Sequence, residues 1–299
     1  MSPSDMLYQL IDGQREEGKG KPFEVLDKFR LTPVAAGHEA SPDQVTRMID
    51  VAQAAFRKGA PGPHERGAIL DRAADILATR ADEVKKIIQL ESGFTGSDCA
   101  GEVNRCIETL RLSANEAREL RGEVIPIEGA PGQSGRIAYT MRVPLGVVLA
   151  ITPFNAPLNT VAHKLAPALA AGNAVVVKPA SVTPLTTLKL AEILHEAGTP
   201  PGMLNVLLGG GSVAQEAIQD PRVRFIAFTG STDVGRKIQA SAGLRRTQME
   251  LGSIAFTIFA QDGDIERAAP RMVGASFRKA GQVCTSIQIA LIHRSRMEE

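Results

Sequence analysis

The chain has 299 residues, of which 22% are charged and 43% hydrophobic, with a net charge of +1 and three cysteines. A near-neutral balance offers no bulk attraction to nucleic acid or anionic lipid, and three cysteines cannot build a disulfide framework. With no signal-peptide pattern and no apolar run near the roughly 20 residues that span a bilayer, the expectation is a soluble, cytoplasmic protein without nucleic-acid or membrane partners.

Residues 1–40 read as a polar, irregular lead-in with no assigned function. Ser41-Pro42-Asp43 is a helix start, with Ser as N-cap, Pro in the first turn and an acid beside it. Val45, Met48, Ile49, Ala52 and Phe56 then mark one face, and Gly59 ends the helix. Ile69, Leu70, Ala73, Ala74 and Leu77 repeat the pattern, and further helices are predicted over 82–93 and 97–120. Cys99 and Cys106 share a face of the last of these. They lack CxxC spacing and a nearby His, so they read as packing residues, and no metal site is predicted.

Residues 123–143 change character. Val124-Ile125 and a run over 136–141 flank a Gly/Pro/Ser-rich turn, which predicts a β-ribbon. Such a ribbon is marginal alone and needs a partner, in another subunit or in its own chain.

Val147 to Ile151 is a continuous apolar run rich in β-branched residues, the pattern of a strand buried on both faces. A helical stretch follows, ended by Gly172-Asn173, and then a second buried strand runs from Ala174 into Lys178-Pro179. This is a βαβ unit, and ligands bind at the carboxyl ends of such strands, where Asn155 and Lys178 stand. Strands over 204–208, 225–228 and 247–251 alternate with helices over 184–197, 213–219 and 233–242. Five such strands predict a Rossmann-like α/β fold, a parallel sheet with flanking helices and right-handed crossovers. A strand over 254–260, a helix over 264–280 and a strand over 287–292 complete the pattern.

Gly209-Gly210-Gly211-Ser212-Val213-Ala214 fits a dinucleotide fingerprint, but no acid stands at the expected strand end about 20 residues on. It reads as a phosphate cradle or, preferably, as a tight turn. Phe228-Thr229-Gly230-Ser231 is the better anion site, with a glycine that permits close approach and a helix opening just after it.

Three stretches carry a resemblance. They are Pro153-Phe154-Asn155; Lys164-Leu165-Ala166-Pro167-Ala168-Leu169-Ala170-Ala171-Gly172-Asn173 with Lys178-Pro179; and Gly281-Gln282-Val283-Cys284-Thr285. Together with Met249-Glu250-Leu251-Gly252 and Phe228-Thr229-Gly230-Ser231 through Gly235, they strongly resemble the aldehyde dehydrogenase superfamily of the hydrolytic, NAD(P)-dependent kind. Glu91-Ser92-Gly93 matches a further family motif. Ile254 departs from the family pattern after the general-base motif.

The resemblance implies oxidation of an aldehyde to a carboxylate. Cys284 is the nucleophile, passing through a thiohemiacetal and a thioester; Glu250 is the general base; and Asn155 donates to the oxyanion. It implies a cofactor site of Thr152, Pro153, Phe154, Lys178, Ser181, Gly211, Phe228, Thr229, Gly230, Ser231, Val234, Leu251 and Gly252, for NAD or NADP. Many relatives that prefer NAD carry Glu where Ser181 stands, so Ser181 suggests that a 2′-phosphate is tolerated. The ribbon becomes an oligomerisation arm of a homodimer or homotetramer. The implied division is an NAD(P)-binding domain over 1–253, with a helical lead-in over 41–121 and the ribbon over 123–143. The start of a catalytic domain over 254–299 follows, cut short soon after Cys284, so that the chain alone is expected to be inactive. The alternatives are a catalytically incompetent dinucleotide-binding or scaffold fragment and a cofactor-independent, esterase-like thiol enzyme.

Overall fold

A computed structural model describes residues 6–299. The chain opens with four short strands, β1 (Gln9–Ile11), β2 (Gln14–Glu16), β3 (Pro22–Leu26) and β4 (Pro33–His38), where the sequence predicts an irregular lead-in. Residues 1–5 of that expectation lie outside the described residues. The correction has a physical cause. β1 is three residues long, too short for an alternation to be read, yet Leu10 and Ile11 are buried, and Leu10 pairs with Val206 far along the chain.

Helices α1 (Pro42–Lys58), α2 (Pro63–Thr79), α3 (Ala81–Ser92) and α4 (Gly96–Glu119) follow. The Ser41 hydroxyl accepts from Gln44 N–H while the Gln44 side chain accepts from Ser41 N–H, a closed capping box at the start of α1. Such a cap is typically worth about 1 kcal/mol. Cys99 and Cys106 are buried on α4, as their shared face predicts. β5 (Val124–Ile125) pairs antiparallel with β6 (Ala138–Tyr139), a short form of the expected ribbon, and its Val124 and Tyr139 are exposed.

The nucleus is β7 (Val147–Ile151), α5 (Asn159–Ala170), β8 (Ala174–Lys178), α6 (Pro184–Glu196), β9 (Leu204–Val206), α7 (Gly211–Gln219), β10 (Val223–Thr229), α8 (Thr232–Ala242) and β11 (Arg246–Glu250). Every residue of β7 and β8 is buried, the outcome expected for unbroken apolar strands. The sheet runs β11-β10-β7-β8-β9-β1-β2; its first five strands are parallel, and β1 and β2 extend it antiparallel. Strand order reverses at β7, which leads through α5 to β8 on one side and borders β10 on the other. Crevices for ligands form at such a switch point.

β12 (Phe256–Phe259) and β13 (Ile289–Ile292) form a separate two-stranded parallel sheet, joined by α9 (Ile265–Phe277). Asp264 caps α9 by accepting from Arg267 N–H at 3.1 Å. Phe256, Ile258, Ile289 and Leu291 are exposed, and α9 has no buried residue. The predicted helix over 264–280 is too long. It stops at Phe277 because Lys279, Ala280 and Gly281 take left-handed backbone conformations, with φ of 52°, 56° and 73°. Among the described residues no helix is long and apolar enough to cross a membrane.

Candidate active site

Because β8, β7, β10 and β11 are parallel and in register, their carboxyl ends form one row. Lys178 pairs with Ile151, Ile151 with Phe228, and Thr229 with Glu250. Two backbone bonds extend the row beyond the strands: Thr152 N–H donates to Lys178 O at 3.1 Å and Gly230 N–H to Glu250 O at 3.1 Å. Residues from four separate strand ends are thereby held on one edge of the sheet.

Cys284 reaches this edge on the loop after α9. Its thiol is half-buried. Burial first, and then the nearby Glu250 carboxylate, push the thiol above its ordinary value. The Asn155 side-chain amide donates to Gln282 O at 2.6 Å, tying the loop after β7 to the cysteine loop. Cys284, Glu250 and Asn155, distant in sequence, are therefore brought together. Ile254 is exposed, and Ser253 Oγ accepts from Ala255 N–H at 3.0 Å beside it.

The cysteine loop is anchored by a residue the sequence reading passed over. Lys279 Nζ donates to Asn155 O at 2.7 Å and to Glu102 Oε1 at 3.1 Å, and lies 4.5 Å from the centre of the Phe94 ring. Both side chains of the Lys279–Glu102 pair are essentially without solvent contact. Glu102 also accepts from Arg105 at 2.6 Å and from Asn159 N–H at 3.1 Å. A left-handed conformation at a residue with a Cβ costs roughly 1–2 kcal/mol. At Lys279 these contacts offset that strain.

The other two cysteines are unlike Cys284. Burial raises the Cys99 thiol to about 11, and burial raises Cys106 higher still.

Lys164 is buried on α5, and burial lowers its ammonium to about 8 against the opposing pull of the Glu250 carboxylate. A cavity of about 290 Å³ lined by His163, Lys164 and Gln248 borders this region but includes neither Cys284 nor Asn155.

The remaining predicted residues form a second cluster along the row. Lys178 is buried with its Nζ donating to Pro179 O at 2.9 Å, and burial lowers the ammonium to about 8. An ammonium has three protons to donate, so Lys178 has capacity for an added acceptor. Thr152 Oγ1 is buried without a partner among the described residues. Ser181 Oγ donates to Gly209 O at 3.0 Å, at the turn leading to Gly211 and α7. Ser231 caps α8, its Oγ accepting from Val234 N–H at 3.4 Å.

Three glycines set the close contacts here. A Cβ on Gly230 would lie 2.5 Å from the Phe228 ring, and one on Gly235 would lie 2.4 Å from Leu251, so each packs against a neighbour that fills the space. Gly252 faces Thr232 Oγ1 at 3.5 Å by the same construction. Phe154 and Val234 remain exposed along this edge. An ammonium with spare donors, an orphan hydroxyl, a helix N-terminus and exposed apolar side chains form a chemical set that fits a dinucleotide.

Glu39, Glu102 and Lys279 carry no local signal in the sequence, whereas Glu91 stands in the Glu91-Ser92-Gly93 motif with no role assigned by it. Glu91 accepts from Leu185 N–H at 2.8 Å, Thr186 N–H at 2.9 Å and the Thr186 hydroxyl, and so caps α6 from α3.

The comparisons agree with this fold. The aldehyde dehydrogenase family model matches residues 15–299. The chain is 45% identical over 287 residues to 3-sulfolactaldehyde dehydrogenase of Priestia aryabhattai, a match covering 96% of this chain and 60% of that protein. The NADP-dependent glyceraldehyde-3-phosphate dehydrogenase of Bacillus halodurans, solved with NADP, superposes with a TM-score of 0.95 at 32% identity, over 98% of this chain and 63% of that one. PnpE, solved with nicotinamide adenine dinucleotide, gives 0.92 at 33% identity, over 97% and 60%. The chain thus spans between 45% and 60% of the length of these curated relatives. With its strand-end row, its cysteine loop and a match across nearly all its residues, the chain belongs to the aldehyde dehydrogenase family.

Proposed function

We propose that this chain carries the nucleophile and the cofactor-binding face of an enzyme that oxidises an aldehyde to a carboxylate with NAD or NADP. The observation that carries the reading is the meeting of Cys284 and Glu250 beside an Asn155 whose amide is fixed on Gln282 O. Glu250 accepts the thiol proton, and the Cys284 thiolate adds to the aldehyde carbon. The second Asn155 amide proton, with the Cys284 backbone N–H, stabilises the oxyanion. A bound nicotinamide would accept the hydride. Glu250 then deprotonates a water that attacks the thioester on Cys284 and releases the acid.

Thr152, Pro153, Phe154, Lys178, Ser181, Gly211, Phe228, Thr229, Gly230, Ser231, Val234, Leu251 and Gly252 would hold the dinucleotide. The anionic part would face the Gly230-Ser231 turn at the start of α8 and the adenosine ribose would face Lys178. Relatives of both cofactor types, one solved with NADP and one with NAD, support this assignment. In this reading residues 1–253 are the cofactor domain, 254–299 open the catalytic domain, and the ribbon over 123–143 is an assembly arm.

The named relatives act on 3-sulfolactaldehyde, aspartate semialdehyde and α-ketoglutarate semialdehyde, aldehydes that each carry an acid group besides the aldehyde. A small aldehyde with an anionic substituent is the proposed substrate class. The test is intact-mass and peptide analysis of the Glu250→Gln chain, in which the thioester is not hydrolysed, after mixing with such aldehydes and NAD or NADP. An acyl mass on the peptide holding Cys284, absent in Cys284→Ser, is the expected result. No adduct at Cys284 with dinucleotide bound would refute the mechanism.

A further inference from the structure

The strand end that Ser181 leaves without an acid has one nearby from a different part of the chain. We propose that Glu39 sets the cofactor's charge selectivity, favouring a free ribose 2′-hydroxyl and opposing a 2′-phosphate, so that this chain prefers NAD. The inference rests on the reading of the Lys178 edge as the adenosine-ribose site.

Glu39 directly follows β4, in the segment whose sequence predicts an irregular lead-in. Its position is fixed by backbone bonds on both sides. Ala40 N–H donates to Leu208 O at 2.9 Å. The buried Gln9 amide donates to His38 O at 3.1 Å, and its oxygen accepts from Leu208 N–H at 2.7 Å. These bonds stitch the residues around Glu39 to the end of β9.

The carboxylate then reaches the turn that follows. Glu39 Oε1 accepts from Gly210 N–H at 2.7 Å. A Cβ on residue 210 would lie 3.0 Å from that oxygen, so a side chain there would crowd the contact. On the same turn, Ser181 Oγ donates to Gly209 O at 3.0 Å. Lys178, at the end of the neighbouring β8, feels the Glu39 charge, which opposes the lowering of its ammonium by burial. Glu39 and Ser181 therefore converge on Gly209-Gly210 from two separate segments, with Lys178 near enough to feel the Glu39 charge.

The chemistry of this group discriminates between the two cofactors. A carboxylate only accepts hydrogen bonds, and Oε1 is engaged by Gly210, leaving Oε2 for a ribose hydroxyl. A phosphate in place of that hydroxyl has no proton to give at neutral pH and adds a like charge. Ser181 alone would tolerate the phosphate; the through-space acid reverses that preference. Facing one carboxylate, a phosphate loses between a few-fold and about a hundredfold in affinity, depending on screening.

The test is calorimetric titration of the chain with NAD and with NADP, for the wild type, Glu39→Gln and Glu39→Met. Both variants remove the charge at nearly constant size, and Gln keeps an acceptor for Gly210 N–H. Circular dichroism checks folding, and either folded variant suffices. The expected result is tighter binding of NAD by the wild type, with the NADP-to-NAD affinity ratio rising by about tenfold in the variants. Adding Ser181→Glu to Glu39→Gln should restore the preference for NAD. An unchanged ratio in a folded variant, or a wild type that prefers NADP, overturns the role of Glu39 while leaving the ribose site intact. Failure of the wild type to bind either dinucleotide overturns the site and the inference together.

Discussion

Lys279 and Glu102, 177 positions apart in the chain, form a buried ion pair with Nζ 3.1 Å from Oε1. The same Nζ holds Asn155 O, so one cation joins the cysteine loop, the loop after β7 and helix α4. Asn155 in turn bonds Gln282, two residues before Cys284. The position of the loop depends on a contact that does not include Cys284.

Removing one partner of a buried pair typically costs about 3–5 kcal/mol, because the other charge is stranded. In Lys279→Met, Glu102 keeps Arg105 and Asn159 N–H, so a loss of about 2–3 kcal/mol is expected. Residues 278–286 should exchange their amide hydrogens faster while β7 and β8 stay protected. The double variant Lys279→Met with Glu102→Gln should recover about 1 kcal/mol or more of the summed losses. Strict additivity in the cycle would show that the pair is not coupled. Arg278→Ala, which removes a half-exposed contact to Asp98 at 3.5 Å, should change stability by less than about 1 kcal/mol.

Thiol labelling should separate the three cysteines. Cys284 is half-buried, whereas Cys99 and Cys106 are buried, with thiols raised by that burial. Iodoacetamide on the folded chain should add one equivalent, on Cys284, with the other two modified only after denaturation. Labelling of Cys99 or Cys106 at a comparable rate would contradict the burial that distinguishes them.

What the sequence made legible follows the range of each interaction. β7 and β8 are unbroken apolar runs, and the Ser41, Ser231 and Asp264 caps act within three residues, so their signals are local. β1 depends on pairing with β9 and carries too few residues to show a period. At the site, Cys284, Glu250 and Asn155 stand in contiguous motifs. Lys279, Glu102 and Glu39 take their roles from partners 124, 177 and 171 positions away, and neither periodicity nor motif spacing contains such a pairing. The left-handed turn at Lys279 and Ala280 was hidden for a related reason. Both residues have side chains compatible with a helix, and the tertiary contacts of Lys279 outweigh that local preference.

Glu91 should make stability depend on pH. Its burial raises the carboxyl from 4.5 to about 7, outweighing the Thr186 and Leu185 donors that favour the anion. The folded state therefore binds the proton more tightly than the unfolded state. This contribution is fully present below pH 4.5 and is lost as pH rises through 7. In Glu91→Gln the fall in stability across that window should flatten, whatever the offset caused by changed capping of α6. Denaturant melts at several pH values measure the slope. An equal slope in the variant would mean that Glu91 is not the titrating group.

Glu250 should affect the two steps of Cys284 chemistry in opposite directions. Its carboxylate adds to burial in raising the thiol, so Glu250→Gln should move the alkylation profile of Cys284 to lower pH. Glu250 is exposed, and the shift should therefore shrink as salt is added. At neutral pH the variant's thiol should label faster than the wild type's. Release of an acyl group from Cys284 should instead slow by roughly 10²–10⁴-fold, since the group that deprotonates the attacking water is gone. A residue that merely packed against the loop would change both rates in the same direction or neither. Undiminished acyl release in Glu250→Gln would remove Glu250 from the reaction.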